Sequence, residues 1–152
     1  MKKGFLKNII MLAGLTTVLF LSAGCGNKNV SYKDGTYTGK SSVFKSDDGV
    51  DEGNGYGEVE ITIKDGRITD CTYLTYEEDG SLKDDDYGKE GGSIANKDYY
   101  NKAQKANAAR DEYAKMLVAN GSLDGIDAIS GATINYNEFV EAVENALSQA
   151  EE

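Results

Sequence analysis

Residues 57–76 constrain the fold of this chain more than any other stretch. Val59, Ile61 and Ile63 alternate with Glu58, Glu60, Thr62 and Lys64, which gives a strand with one apolar and one wet face. Asp65-Gly66 follows, a strong two-residue hairpin signal. The return strand runs from Arg67 to about Tyr76. In a simple hairpin Ile68 faces Ile63, but Cys71 and Tyr73 then fall on the opposite side. A bulge near Thr69-Asp70 restores the phase; the other solution is a strand covered on both faces.

An apolar sheet face needs a second layer, and the helices come later in the chain. Asn96 is a helix cap and Asn120-Gly121 a helix stop, so one long helix is predicted over 97–119. Tyr99 or Tyr100, Ala103, Ala106, Tyr113, Met116 and Leu117 form its inner stripe, and the tyrosines read as core residues. Phe139, Val143, Ala146 and Leu147 recur at helical spacing and predict a final helix from Tyr136 to about Ala150, capped by Asn135 with Glu138 completing a capping box. Before the hairpin, Asp34-Gly35-Thr36-Tyr37-Thr38-Gly39 suits a short strand. The expected fold is α+β: a small antiparallel sheet packed by a long helix and a C-terminal helix, in a single domain over 34–150.

The first 24 residues read as a targeting segment. Lys2, Lys3 and Lys7 precede an apolar run from Ile9 to Leu21, and Ser22, Ala23 and Gly24 lead to Cys25. The run is short for a membrane span. The pattern resembles a bacterial lipoprotein signal peptide over 1–24, cleaved before a lipidated Cys25, with Ser22 standing where leucine is usual. An ordinary secretory signal is the alternative. Residues 25–33 then form the lipidated cysteine and a polar tether, and the expected location is the extracytoplasmic face of the membrane. The chain has 16 basic and 26 acidic residues; without the leader's 3 lysines the balance is 13 against 26, or −13. Such a surface argues against nucleic acid as a partner.

The chain contains no histidine. Ser-His-Asp and Cys-His catalysis and histidine-containing zinc sites are therefore excluded. Residues 45–57 and 77–92 are acidic loops. The second does not match the spacing of an EF-hand, because its glycine and terminal glutamate are misplaced, so no metal site is assigned. Cys71 lies in a strand and reads as a small core residue.

The stretch that carries chemistry is Asp127-Ala128-Ile129-Ser130-Gly131-Ala132-Thr133. Small residues run into a threonine just ahead of the last helix, whose N-terminal N–H groups and dipole favour a phosphate. Asp-x-x-Ser-Gly-Ala-Thr resembles the flavinylation motif of the FMN-binding domain family. In that family a flavin transferase, with FAD as donor, esterifies the threonine with the phosphate of FMN. The resemblance implies covalent FMN on Thr133, open access across Ser130, Gly131 and Ala132, and a transferase that reads Asp127. It also makes Tyr87, in Tyr87-Gly88, a residue expected to lie over the flavin. The Asp34–Gly39 opening and the order of elements agree with it over roughly 34–149. Tyr136 and Glu138 depart from the small residues that many members carry after the threonine.

The implied function is a membrane-anchored extracytoplasmic electron carrier. It would take electrons from a membrane dehydrogenase or its quinol and pass them to an extracellular acceptor or partner reductase. It is a redox carrier with no catalytic residues of its own, which fits the lack of histidine. The competing expectation is a lipid-anchored surface binding module without covalent flavin.

Overall fold

The computed structural model of the chain describes residues 31–47 and 53–151. The leader, Cys25 and most of the tether lie outside the described residues. The elements run β1 (Gly35–Lys40), β2 (Tyr56–Lys64), β3 (Arg67–Tyr76), α1 (Lys97–Asn120) and α2 (Thr133–Leu147). The strands form one antiparallel sheet in the order β1-β2-β3. This is the predicted α+β arrangement.

The hairpin resolves its phase through the bulge. Thr62 pairs with Asp70 but Ile63 pairs with Ile68, so Thr69 is the extra residue. Ile68, Tyr73 and Thr75 then join Val59, Ile61 and Ile63 on the buried face, with Cys71 half-buried among them. Asp65 and Gly66 both have positive φ, 52° and 69°, as a type I′ turn requires.

Both helices cover that face, α2 against β1 and β2, α1 against β3. The core joins Val59, Ile61, Ile63 and Tyr73 to Tyr113 and Leu117 of α1 and to Phe139, Val143 and Ala146 of α2. Burying each large apolar side chain stabilises the fold by about 1.5–3 kcal/mol. At Gly39 the sheet and helix approach too closely for any side chain: a Cβ there would lie 1.9 Å from the Ala142 carbonyl oxygen and 2.5 Å from the Ala146 nitrogen.

Helix α1 matches its expected ends. The Asn96 side chain accepts from the Tyr99 N–H, and Gly121 closes the helix at φ 71°. Its inner face also buries Asn107, Ala109 and Ala114, while Ala106 and Met116 are only half-buried.

Helix α2 departs from expectation at both ends. It starts at Thr133, with Ala132 in the cap position and no side-chain cap, and ends at Leu147. Asn135 is therefore inside the first turn. Its amide donates to the Ala106 carbonyl of α1 at 3.0 Å, and Glu138 is buried instead of reaching back to a cap. Contacts with the neighbouring layer claimed both residues of the supposed capping box. The tether reading fails at its last two residues. Lys33 N–H donates to the Ala150 carbonyl at 2.8 Å, and Tyr32 bridges Glu151, so these residues belong to the fold.

Candidate functional site

The loop ahead of α2 is a built structure. Ala132 N–H closes a turn onto the Ile129 carbonyl at 2.9 Å, and Gly131 sits at φ 84°, the third position of a type II turn, where glycine is favoured. The turn is clamped from beneath by one hydroxyl. Tyr113 of α1, fully buried, accepts from the Ile129 N–H at 2.8 Å and donates to the Ala132 carbonyl at 3.2 Å. Tyr136 ties the start of the loop by donating to the Ile126 carbonyl at 2.9 Å. Asp127, Ser130, Gly131 and Thr133 remain exposed above these anchors.

Thr133 opens onto a cleft of about 530 Å³, within the size range of small-molecule sites. One wall is Gly131 to Asn135; the facing wall is α1 from Asn96 to Asn107; Lys83 and Tyr87 close it from the loop after β3. That loop is pinned to α1. Gln104 donates to the Tyr87 carbonyl and Asn107 to the Asp84 carbonyl, both at 3.0 Å. Tyr87 and Tyr99 meet edge to face, with ring centroids 6.4 Å apart and the Tyr99 hydroxyl donating to that of Tyr87 at 3.3 Å. The cleft thus offers aromatic surface at one end and a helix N-terminus at the other.

The charge around it runs against that of the chain, although one acid, Asp98, also lines it. Lys83 and Lys102 line the cleft. The Lys105 ammonium lies 3.5 Å from the position a Cβ would take on Gly131, beside the threonine loop. Neither Lys102 nor Lys105 forms an ion pair with a described residue. No acidic residue lies in the first turn of α2. Lys83 is buried, donates to the Gly53 carbonyl at 2.9 Å and lies 5.2 Å from the Tyr87 ring centroid. Behind it, burial pushes the Glu138 carboxyl up to about 7, against the opposing pull of Lys83.

The model of the FMN-binding domain family matches residues 53–148. The chain belongs to this family. The match takes in β2, β3, both helices and the whole cleft. The crystal structure of the CPE2226 protein from Clostridium perfringens is similar at 27% sequence identity and a TM-score of 0.55, over 78% of this chain and 88% of that one. No curated protein matches.

As an FMN-binding domain the chain has a flavin mononucleotide for its cofactor, and the cleft fits one. Uncapped N–H groups, with Lys102 and Lys105 forming no ion pair among the described residues, suit a phosphate, and Tyr87 and Tyr99 suit a flat ring. Of the residues singled out in the sequence, Gly131, Ala132, Thr133 and Tyr87 line one cleft. Ser130 and Asp127 do not line it and are exposed to solvent. Tyr99, read as a core residue, is instead half-buried in the cleft wall, whereas Tyr113 is core as expected. Sequence reasoning missed Lys83 and Lys102, which carry no pattern that separates them from other loop and helix lysines. It also missed the clamping hydroxyl of Tyr113.

Proposed function

We propose that this FMN-binding domain carries its flavin as a phosphoester of Thr133 and works as an electron carrier, lipid-anchored through Cys25 on the extracytoplasmic face of the bacterial membrane. The observation that supports attachment is the placement of Thr133. Its exposed side chain stands on the first residue of an uncapped helix, between the cleft and the outer face of the loop.

In this reading a flavin transferase brings FAD to the loop. The Thr133 oxygen bonds to the FMN phosphorus, the pyrophosphate bond breaks, AMP leaves, and the hydroxyl proton passes to the transferase. Exposed Asp127 and Ser130 face the transferase, while Gly131 and Ala132 leave the approach open. The bound flavin supplies the redox chemistry. The chain's own residues fix its position, hold its phosphate among lysines and shield the ring. Electrons come from a membrane dehydrogenase or its quinol and leave to an extracellular acceptor or partner reductase.

The test is co-expression with and without a flavin transferase, beside Thr133→Ala. Fluorescence on a denaturing gel and an intact mass raised by one FMN less water are expected only with transferase and Thr133 together. Flavin that co-purifies but leaves on denaturation would replace the covalent reading with a noncovalent one. No flavin at all would leave an anchored binding module.

A further inference from the structure

Glu138 is only 3% exposed, and neither carboxyl oxygen has a hydrogen-bond partner among the described residues. A buried polar group left in this state carries a desolvation cost that calls for an explanation. The neighbouring donors are committed elsewhere. Tyr73 of β3 gives its hydroxyl to the Asn135 carbonyl at 2.7 Å, and the Asn135 amide goes to α1. Packing holds the side chain in place: a Cβ on Gly57 of β2 would lie 3.0 Å from the Glu138 Cβ.

The position of this carboxyl relative to the cleft is informative. Asn135 lines the cleft, and Glu138 is three residues further along the same helix, on the same face and about 4.5 Å deeper along its axis. Lys83 lines the cleft as well and exerts its charge on Glu138. A buried cation thus lines the ligand space and acts on a buried acid. The other charged groups facing this acid are Glu141 on α2 and, through Tyr73, Arg110 on α1.

We propose that Glu138 is a redox-linked proton acceptor beneath the flavin cleft, taking up a proton from solvent when the flavin is reduced. The inference rests on the flavin reading above. An external reductant supplies the electron. The oxidised flavin gains it as negative charge, and the Glu138 carboxylate gains a proton, so the charge of the chain and flavin together changes by zero for each electron so matched. The physical cause is competition for Lys83. With the flavin ring neutral, the ammonium supports the carboxylate; with a new negative charge on the ring, the carboxylate competes with it for the same cation, and the protonated form is favoured. Glu138 acts as a positioning residue for charge and does not touch the flavin.

The test uses the flavin-loaded chain reduced at about pH 8, where the carboxylate form predominates. The reduction-induced infrared difference spectrum should gain the C=O band of a carboxylic acid, and Glu138→Gln should lack that band. In potentiometric titrations the variant should lie above wild type at about pH 8.5 and coincide with it at about pH 5.5, where both carry a neutral side chain. No carboxylic-acid band in wild type overturns the inference whether or not the variant folds, and so do potentials that coincide at every pH. A flavin mass is measured first. A chain that takes no flavin overturns the functional reading and this inference together, whereas a loaded chain without the band overturns this inference alone.

Discussion

Tyr113→Phe isolates the clamp under the threonine loop. The substitution keeps the ring, which stacks on Phe139 at a centroid distance of 5.4 Å and leans on Tyr136 at 5.8 Å, so the core is not emptied. Only the hydroxyl is lost, together with two hydrogen bonds. The two ends do not suffer equally. The Ala132 carbonyl still accepts from the Tyr136 N–H at 3.0 Å, but the Ile129 N–H has no other acceptor among the described residues. One net hydrogen bond plus one unsatisfied, partly buried donor costs about 1–3 kcal/mol. For a domain of this size that is a fall in Tm of roughly 4–12 °C. Denaturant unfolding of wild type and variant, with the slope checked for constancy, measures the loss. The loop should also lose amide-exchange protection at Ile129 and Ala132 before the rest of the domain does. A change below about 0.5 kcal/mol, with Ile129 protection intact, would refute the clamp.

Three further outcomes follow from the same structure. The Glu138 carboxyl stands at about 7 against an ordinary value of 4.5, so the folded chain binds the proton more tightly than the unfolded one; its stabilising contribution is full below about pH 4.5 and fades as pH rises through about 7, by roughly 3 kcal/mol. Urea midpoints should therefore fall between about pH 5 and about pH 8, and Glu138→Gln should flatten that fall. Gly39→Ala forces a methyl group against the α2 backbone and should cost about 3 kcal/mol or more, or prevent folding, as read by circular dichroism and melting. Burial, assisted by Asp70, pushes the Cys71 thiol up to about 12, so alkylation of the native chain at about pH 8 should be far slower than that of the urea-unfolded chain.

The sheet was legible because its information is local. Alternation over Val59–Ile63, the Asp65-Gly66 turn and the phase error at Thr69 are all contained in one hairpin, and of the two solutions it allowed the bulge is the one found. Helix α1 was legible for the same reason, since Asn96 and Gly121 act on their own helix. The start of α2 was not. Whether Asn135 caps its helix or reaches across to Ala106 depends on a partner 29 residues earlier in the chain, and no local pattern encodes that choice. The lysines of the cleft were hidden in the same way. Lys83 lies in an acidic loop and Lys102 on a charged helix face, and only the docking of that loop on α1 by Gln104 and Asn107 brings them to one space.

The failed cap and the functional site have one cause. A helix N-terminus in a globular domain is ordinarily satisfied by its own side chains, and once satisfied it has little left to offer a ligand. Here Asn135 and Glu138, the residues suited to that task, face inward, and Ala132 at the cap position has no side chain that can accept. The loop does not fray in consequence, because its polar backbone is held from the core side by Tyr113 and Tyr136. The stability of the turn and the availability of the helix terminus are thereby separated: hydroxyls beneath supply the first, and the absent cap leaves the second. That separation yields a sharp expectation. Replacing Ala132 with serine would supply a capping oxygen to the α2 N–H groups and should stabilise the apo domain by about 0.5–2 kcal/mol. It should also weaken phosphate retention or slow flavin transfer, since cap and phosphate seek the same donors. A more stable variant that loads flavin as fast as wild type would show that those N–H groups take no part in holding it.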